Sequence, residues 1–283
     1  MPTAALSGGS SRLSRNPRER CSPRHRAYPG EVQKKRGRRV LKWTLWSILI
    51  LALLGAGGIV AWSQIGVMGA EKAPLAAVRE NPAITVDDAE QGIVLAPADG
   101  DSEIGLVFVP GAKVDPWAYA AILQGVAEEG VTVVITRPWL NLAFFDPRPL
   151  DSFTSAAPDV DVWAVGGHSL GGVRACQLAA DADALVLFGS YCANDLSGTD
   201  LAVLSLAGSE DGLSTPAKIS DARGNLPADA DLVEIDGASH ASFGDYGPQA
   251  GDGTPSISDE EMHATVTELL GAFLSEDALA AAG

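Results

Sequence analysis

The sequence predicts an α/β domain with a mostly parallel, doubly wound sheet of about eight strands, preceded by one transmembrane helix. Three observations predict it. Twenty uncharged residues, Trp43 to Trp62, follow a polybasic stretch. Beyond them, short continuous runs rich in Val, Ile and Leu recur: GLVFVP, VTVVIT, ALVLFG and AVLSLAG. Between these runs lie segments with apolar residues at helical spacing. Strands buried on both faces read as continuous apolar runs, and their alternation with helices implies βαβ units around a parallel sheet.

The first segment is a basic arm. Residues 1–42 carry 12 of the 20 Lys and Arg and 2 of the 36 acidic residues, a net of +10, against −26 over the remaining 241 residues. The arm is rich in Arg, Pro and Ser and is expected to be disordered. Its place beside an apolar span suits anionic lipid headgroups, and nucleic acid is not an expected partner. The span itself, residues 43–62, covers about 30 Å as a helix, the thickness of the hydrocarbon layer. Trp43, Trp46 and Trp62 stand where interfacial tryptophans belong, and Lys34, Lys35, Arg36, Arg38, Arg39 and Lys42 crowd the N-terminal side. The positive-inside bias then predicts a cytoplasmic N-terminus and an extracytoplasmic C-terminal domain. A cleaved signal peptide is the competing reading. The length of the apolar and basic stretches favours an uncleaved anchor in the cell membrane.

Residues 63–83 read as a linker and 84–283 as one domain, long enough for a sizeable core. Strands are expected near 84–88, 92–97, 105–110, 131–136, 161–168, 184–190, 202–208 and 231–236, and helices over 117–129, 170–182, 215–224 and 257–274. Ser258 is a plausible N-cap for the last helix, with acids in its first turn.

Gly167-His168-Ser169-Leu170-Gly171 is a Gly-x-Ser-x-Gly pattern. In a chain with 31 glycines the pattern alone says little; its context decides. Ser169 follows the strand DVWAVGG and precedes a helix. A strand–turn–helix presents the hydroxyl at the top of the sheet as a nucleophile. The Leu170 N–H opens the helix and is placed to donate to a negative oxygen. The second such donor is expected from the loop GAKVDP after the third strand, with Ala112 N–H chosen and Lys113 N–H as the alternative.

A serine nucleophile needs a base, and the chain has four histidines. His25 lies in the arm, His168 adjoins Ser169 and is expected to point elsewhere, and His263 sits on the polar side of the last helix. His240, in the loop GASHASFGDYG after a strand, remains. Asp211, in AGSEDGL, is the expected acid, giving the order Ser169, Asp211, His240; Glu210 and Asp195 are rivals, and Asp236 is too near His240 along the same strand end. No Cys or His cluster has metal-ligand spacing, and neither a metal nor another cofactor is implied. Cys176 is expected in mid-helix and Cys192 at a strand end, so the two read as small buried hydrophobes rather than as a bonded pair.

These motifs together resemble the α/β-hydrolase superfamily, and more closely the small bacterial hydrolases related to dienelactone hydrolase, the α/β-hydrolase fold-5 type. VPGAKVDPWAY, LNLAFFD, GGHSLGG, GSEDGL and GASHASFGDYGPQAGDG carry the resemblance over about 90–275. It implies an α/β-hydrolase fold and a catalytic serine, acid and histidine at Ser169, Asp211 and His240. Many similar proteins are membrane-tethered. Dienelactone hydrolases use a cysteine where this chain has Ser169, so their specific activity is not carried over. The family's lid is usually inserted between the strands read here as ALVLFG and AVLSLAG. Only about a dozen residues, SYCANDLSGTDL, separate them, which implies little or no lid. Phe243 and Tyr246 are then candidates for one wall of a substrate pocket, and Asn141, Phe144 and Phe145 for the other. The expected reaction is hydrolysis of a small ester, thioester or lactone through an acyl-enzyme. A catalytically silent envelope-binding module and an acyltransferase are the alternatives. Oligomeric state is not legible.

Overall fold

The computed structural model describes residues 29–100 and 102–275. Most of the basic arm, with Cys21 and His25, lies outside the described residues. The chain divides into two units, one ending at Ala56 and one beginning at Gly57.

The first described element is the helix α1, Pro29–Gln64. Its portion Arg36–Gln64, 29 residues, is long and apolar enough to cross a membrane and is compatible with a single-pass anchor. Residues 29–42 are thus helical, where the sequence reading expected a disordered arm. The physical reason is propagation: Glu, Gln, Lys, Arg and Leu are good helix formers, so a helix nucleated in the apolar run extends upstream. Pro29 sits at its first position, where a missing N–H costs nothing.

The stretch 63–83 is not a loose linker either. Met68 pairs in a parallel bridge with Val114, and its N–H and C=O bond to Lys113 and Asp115 at 2.8 Å each. Helix α2, Lys72–Glu80, then buries Val78 completely and sets Arg79 over the Trp117 ring at 4.8 Å. Pro74 near its start and the short apolar stripe hid this helix from the sequence reading.

The remaining elements follow in the expected alternation. They are β1 (Ile84–Asp88), β2 (Gly92–Pro97), β3 (Ile104–Val109), α3 (Ala120–Glu128), β4 (Thr132–Thr136), α4 (Asp151–Thr154), β5 (Val162–His168), α5 (Leu170–Leu178), β6 (Ala184–Phe188), β7 (Ala202–Gly208), α6 (Pro216–Asp221), β8 (Asp231–Ile235) and α7 (Asp259–Phe273). Among the described residues the eight strands form one sheet in the order β1-β2-β4-β3-β5-β6-β7-β8. β1 and β2 run antiparallel to their neighbours, and the block from β4 to β8 is parallel. The C-terminal ends of β3 to β8 therefore share one edge of the sheet.

The period of two along β3 divides the core. Leu106 and Phe108 face a layer that includes Leu123 and Val126 of α3 and Val266 and Leu270 of α7. Val107 faces the opposite layer with Ala175 and Leu178 of α5. Helices thus cover both faces, which is why these strands read as unbroken apolar runs. The helices are shorter than expected: 3-10 turns take Pro116–Tyr119 before α3 and Ala179–Asp181 after α5. Asp115 imposes the first by accepting the Trp117 N–H. Ser258 caps α7 through a reciprocal capping box with Glu261.

Cys176 and Cys192 form a disulfide, with Cα atoms 5.5 Å apart, contrary to the expectation of free thiols. The bond joins α5 to the loop after β6. Both residues stand where that helix packs over the adjoining strand end, a proximity that sequence spacing does not encode.

Candidate active site

Ser169 occupies the turn from β5 into α5 with φ 53° and ψ −121°, a conformation that a residue with a side chain rarely adopts. The surroundings hold it there. Its N–H donates to the Phe188 carbonyl at 3.0 Å, and its own carbonyl accepts from Ser190 Oγ at 2.7 Å. The turn closes tightly because its flanks are glycine. A Cβ on Gly171 would lie 2.0 Å from the Val109 carbonyl oxygen, and one on Gly167 would lie 2.5 Å from the Gly171 carbonyl carbon. The start of α5 is thereby pressed against the end of β3, and Ser169 itself stays partly exposed.

Asp211 follows β7 and His240 follows β8. Asp211 Oδ1 accepts the N–H groups of Leu213 at 2.8 Å and Ser214 at 2.7 Å. This frees Oδ2 for Nδ1 of His240, 2.7 Å away, and both side chains are wholly buried. The pair lies beside the turn that carries Ser169. The His240 ring packs 4.4 Å from that of His168, the residue before Ser169. A Cβ on Gly189 would sit 3.0 Å from Asp211 Oδ2, and the next residue, Ser190, bonds Ser169. Glu210, Asp195 and Asp236 are exposed, and none of them bonds a histidine among the described residues. Asp195 instead caps its own turn through Ser197, whose side chain and then backbone hold the Asp195 carboxyl below its usual range.

The two expected oxyanion donors are uncommitted. Neither Leu170 N–H nor Ala112 N–H donates to a protein group among the described residues. Lys113 N–H, the alternative, is spent on the Asn141 carbonyl at 2.8 Å. Gly111, just before Ala112, donates to Tyr119 Oη, which also lies 2.9 Å from Nδ1 of His168. Burial first, and then the neighbouring His240, hold the His168 imidazole well below its ordinary value, so it is neutral. The tautomer that leaves Nδ1 proton-free lets it accept from Tyr119. Burial likewise pushes the Tyr119 phenol far up. A neutral chain of hydrogen bonds thus links the Ala112 loop to the residue before Ser169. His168 does not point away from the site, as expected; it is a packing partner of His240.

The loop that carries His240 has its own clamp. Asp252 accepts the N–H groups of Gly212, His240, Ala241 and Gly253 at 3.0, 3.1, 2.8 and 2.7 Å. Burial pushes its carboxyl up, but these backbone donors outweigh that and hold it below its usual range. Sequence reasoning missed Tyr119, Ser190 and Asp252. The one local signal for Asp252 is an acid between two glycines, twelve residues beyond His240.

The expected pocket walls fare differently. Phe243 is fully buried, 5.4 Å from Phe188 and 5.9 Å from His168 by ring centres, and Tyr246 is nearly buried, its hydroxyl donating to Gln249. Both are core side chains beneath the site, which corrects their reading as a pocket wall. Asn141 has φ 55° and bonds the Ser63 carbonyl. Phe144 and Phe145 are exposed, ring against ring at 4.2 Å. Oxygen ligands for a cation converge at Glu71, Asp245 and Asp259, within 4.8 Å of one another, but one Asp245 oxygen is taken by His263 Nε2 at 3.1 Å. None of these belongs to the serine site.

A family profile described as "Alpha/beta hydrolase family" matches residues 105–264, more than half of the chain. No curated protein matches. Among solved structures, the chain is similar to XC6422 from Xanthomonas campestris, described as an α/β serine hydrolase without lid. Identity is 15%, coverage is 69% of this chain and 96% of that one, and the TM-score is 0.47.

Proposed function

Because this chain belongs to the alpha/beta hydrolase family and is a hydrolase, we propose that it cleaves a carboxylic ester, thioester or lactone through an acyl-enzyme on Ser169. The observation that carries this reading is the buried 2.7 Å bond between Asp211 and His240, packed against the strained turn that holds Ser169.

In the proposed mechanism, His240 takes the Ser169 proton as Oγ attacks the carbonyl carbon. Asp211, bonded to Nδ1, keeps the imidazole in the tautomer whose Nε2 is free to accept, and stabilises the imidazolium. Leu170 and Ala112 N–H groups receive the oxyanion; such fixed donors typically contribute about 3 kcal/mol each. The C–O bond breaks, and the alcohol leaves with the proton from His240. Water then loses a proton to His240 and its oxygen joins the acyl carbon, releasing the acid and restoring Ser169.

The domain is proposed to lie outside the cytoplasm, anchored by α1. The basic flank of the span supports this orientation. So does the disulfide, since such bonds persist in oxidising compartments. The pairing of Met68 with Val114 builds the juxtamembrane chain into the fold, which favours an uncleaved anchor.

The test is labelling of the detergent-solubilised full chain by a fluorophosphonate, beside Ser169→Ala and His240→Ala. Labelling of the native chain alone is expected. Absence of labelling from a folded native chain overturns the catalytic reading in favour of a silent binding module.

A further inference from the structure

Among the described residues, large apolar side chains are exposed at few places beyond α1. They are Ile65, Trp139, Phe144, Phe145, Tyr191 and Leu232. Leu232 is on β8, an edge strand. The others gather. Trp139, Phe144 and Phe145 occupy the loop after β4, and Tyr191 the loop after β6. Both loops leave the sheet at the edge where Ser169 follows β5, because these three strands are parallel. Scattered single apolar residues are ordinary on a soluble surface; an aromatic group confined to one rim is not.

The end of the membrane helix is fastened to this same rim. Lys113 Nζ donates to the carbonyls of Trp62 at 2.9 Å and Ile65 at 3.2 Å, and lies 3.7 Å from the centre of the Trp62 ring. Asn141 Nδ2 donates to the Ser63 carbonyl at 3.2 Å. Lys113 belongs to the loop that presents Ala112. Asn141 lies between Trp139 and Phe144. Two side chains thus cap the open carbonyls of the helix end and bring to it both the oxyanion loop and the aromatic loop. A tryptophan that ends a membrane span marks the depth of the lipid headgroups, where aromatic rings are favoured. The aromatic loop is joined to the residue after that marker by the Asn141–Ser63 hydrogen bond, and the Ala112 loop to the marker itself by Lys113.

From this continuity, we propose that Trp139, Phe144 and Phe145 are seated in the interfacial layer of the bilayer and that the site takes its substrate from there. On the serine-hydrolase reading, the substrate class is an acyl ester dissolved in the membrane. The acyl chain remains in lipid while its carbonyl reaches Ser169. Water, coming from the other side, completes the hydrolysis. A short connection in place of a lid fits this arrangement, since the bilayer itself covers the apolar rim.

The test uses the full chain with Cys21→Ser, reconstituted in phosphatidylcholine–phosphatidylglycerol vesicles, with a nitroxide at Phe144→Cys or at Leu232→Cys. At 144 the label should collide with oxygen more, and with a water-soluble nickel chelate several-fold less, than at 232. Equal nickel access at the two positions, with Ser169 still reactive to the fluorophosphonate, overturns the seating. In the same vesicles, the native chain should hydrolyse an embedded long-chain ester at least tenfold more efficiently than a water-soluble short-chain ester. Preference for the soluble ester overturns the substrate class. An unreactive Ser169 beside a lipid-shielded 144 leaves the seating standing and overturns only the catalytic reading.

Discussion

The phenol oxygen of Tyr119 accepts the Gly111 N–H and lies 2.9 Å from Nδ1 of His168. One buried hydroxyl therefore sets the loop of Ala112 against the turn of Ser169. Tyr119→Phe leaves Gly111 N–H and His168 Nδ1 without partners, which should cost about 1–3 kcal/mol. On the proposed mechanism it should also lower kcat about tenfold by loosening the Ala112 N–H, less than deleting a donor outright would. Thermal unfolding and ester turnover of the same preparation check both. A stability loss with unchanged kcat would detach Tyr119 from the oxyanion loop.

Asp211 bonds Nδ1 of His240, so on the proposed mechanism its effect passes through the imidazole. Asp211→Asn would present an N–H to Nδ1 or reverse the tautomer, and turnover should fall about ten-thousandfold. Fluorophosphonate labelling should slow in parallel while the unfolding temperature moves little. A near-normal rate would transfer the acid role to Glu210 or Asp195.

Gly171→Ala tests the closeness of α5 to β3. The new methyl would meet the Val109 carbonyl oxygen at 2.0 Å and that of Pro110 at 2.5 Å. Backbone at that distance has little room to yield, so the cost should reach about 3 kcal/mol or more, with loss of labelling at Ser169. An alanine variant that unfolds at the native temperature would show that the turn has slack.

Asp252 gives the site an acid limit. Its folded carboxyl is held below the usual range, so the stabilisation it contributes is complete above the unfolded value of about 3.9 and is lost as pH falls through the folded one. Unfolding temperatures of the native chain and Asp252→Ala should therefore differ at pH 6 and converge towards pH 3. A gap that persists unchanged to pH 3 would separate the clamp from the carboxylate's charge.

Much of the molecule was legible because its causes are local. GLVFVP and VTVVIT are apolar on both faces, and both are strands covered on both sides. The glycines around Ser169 announce a turn too tight for side chains. The expected acid and base each follow a strand, and the structure joins them at 2.7 Å. What was missed depends on distance through space. Tyr119 and His168 are 49 residues apart, and nothing in either neighbourhood announces the bond. The Cys176–Cys192 bridge needed the packing of α5 over the loop after β6. Phe243 and Phe144 look alike in sequence, yet one is fully buried and the other 58% exposed. Only the course of their loops separates them.

The bridge between Cys176 and Cys192 also orders events in time. On the proposed topology the chain is synthesised where thiols stay reduced, and its C-terminal domain meets an oxidising milieu only after export. The helix that begins beside Ser169 is then made without its brace and receives it at the destination. On the same reading, the covalent support of the turn that carries Ser169 is completed at translocation rather than at synthesis. On that topology, a copy stalled on the cytosolic side would carry the same residues without that covalent brace.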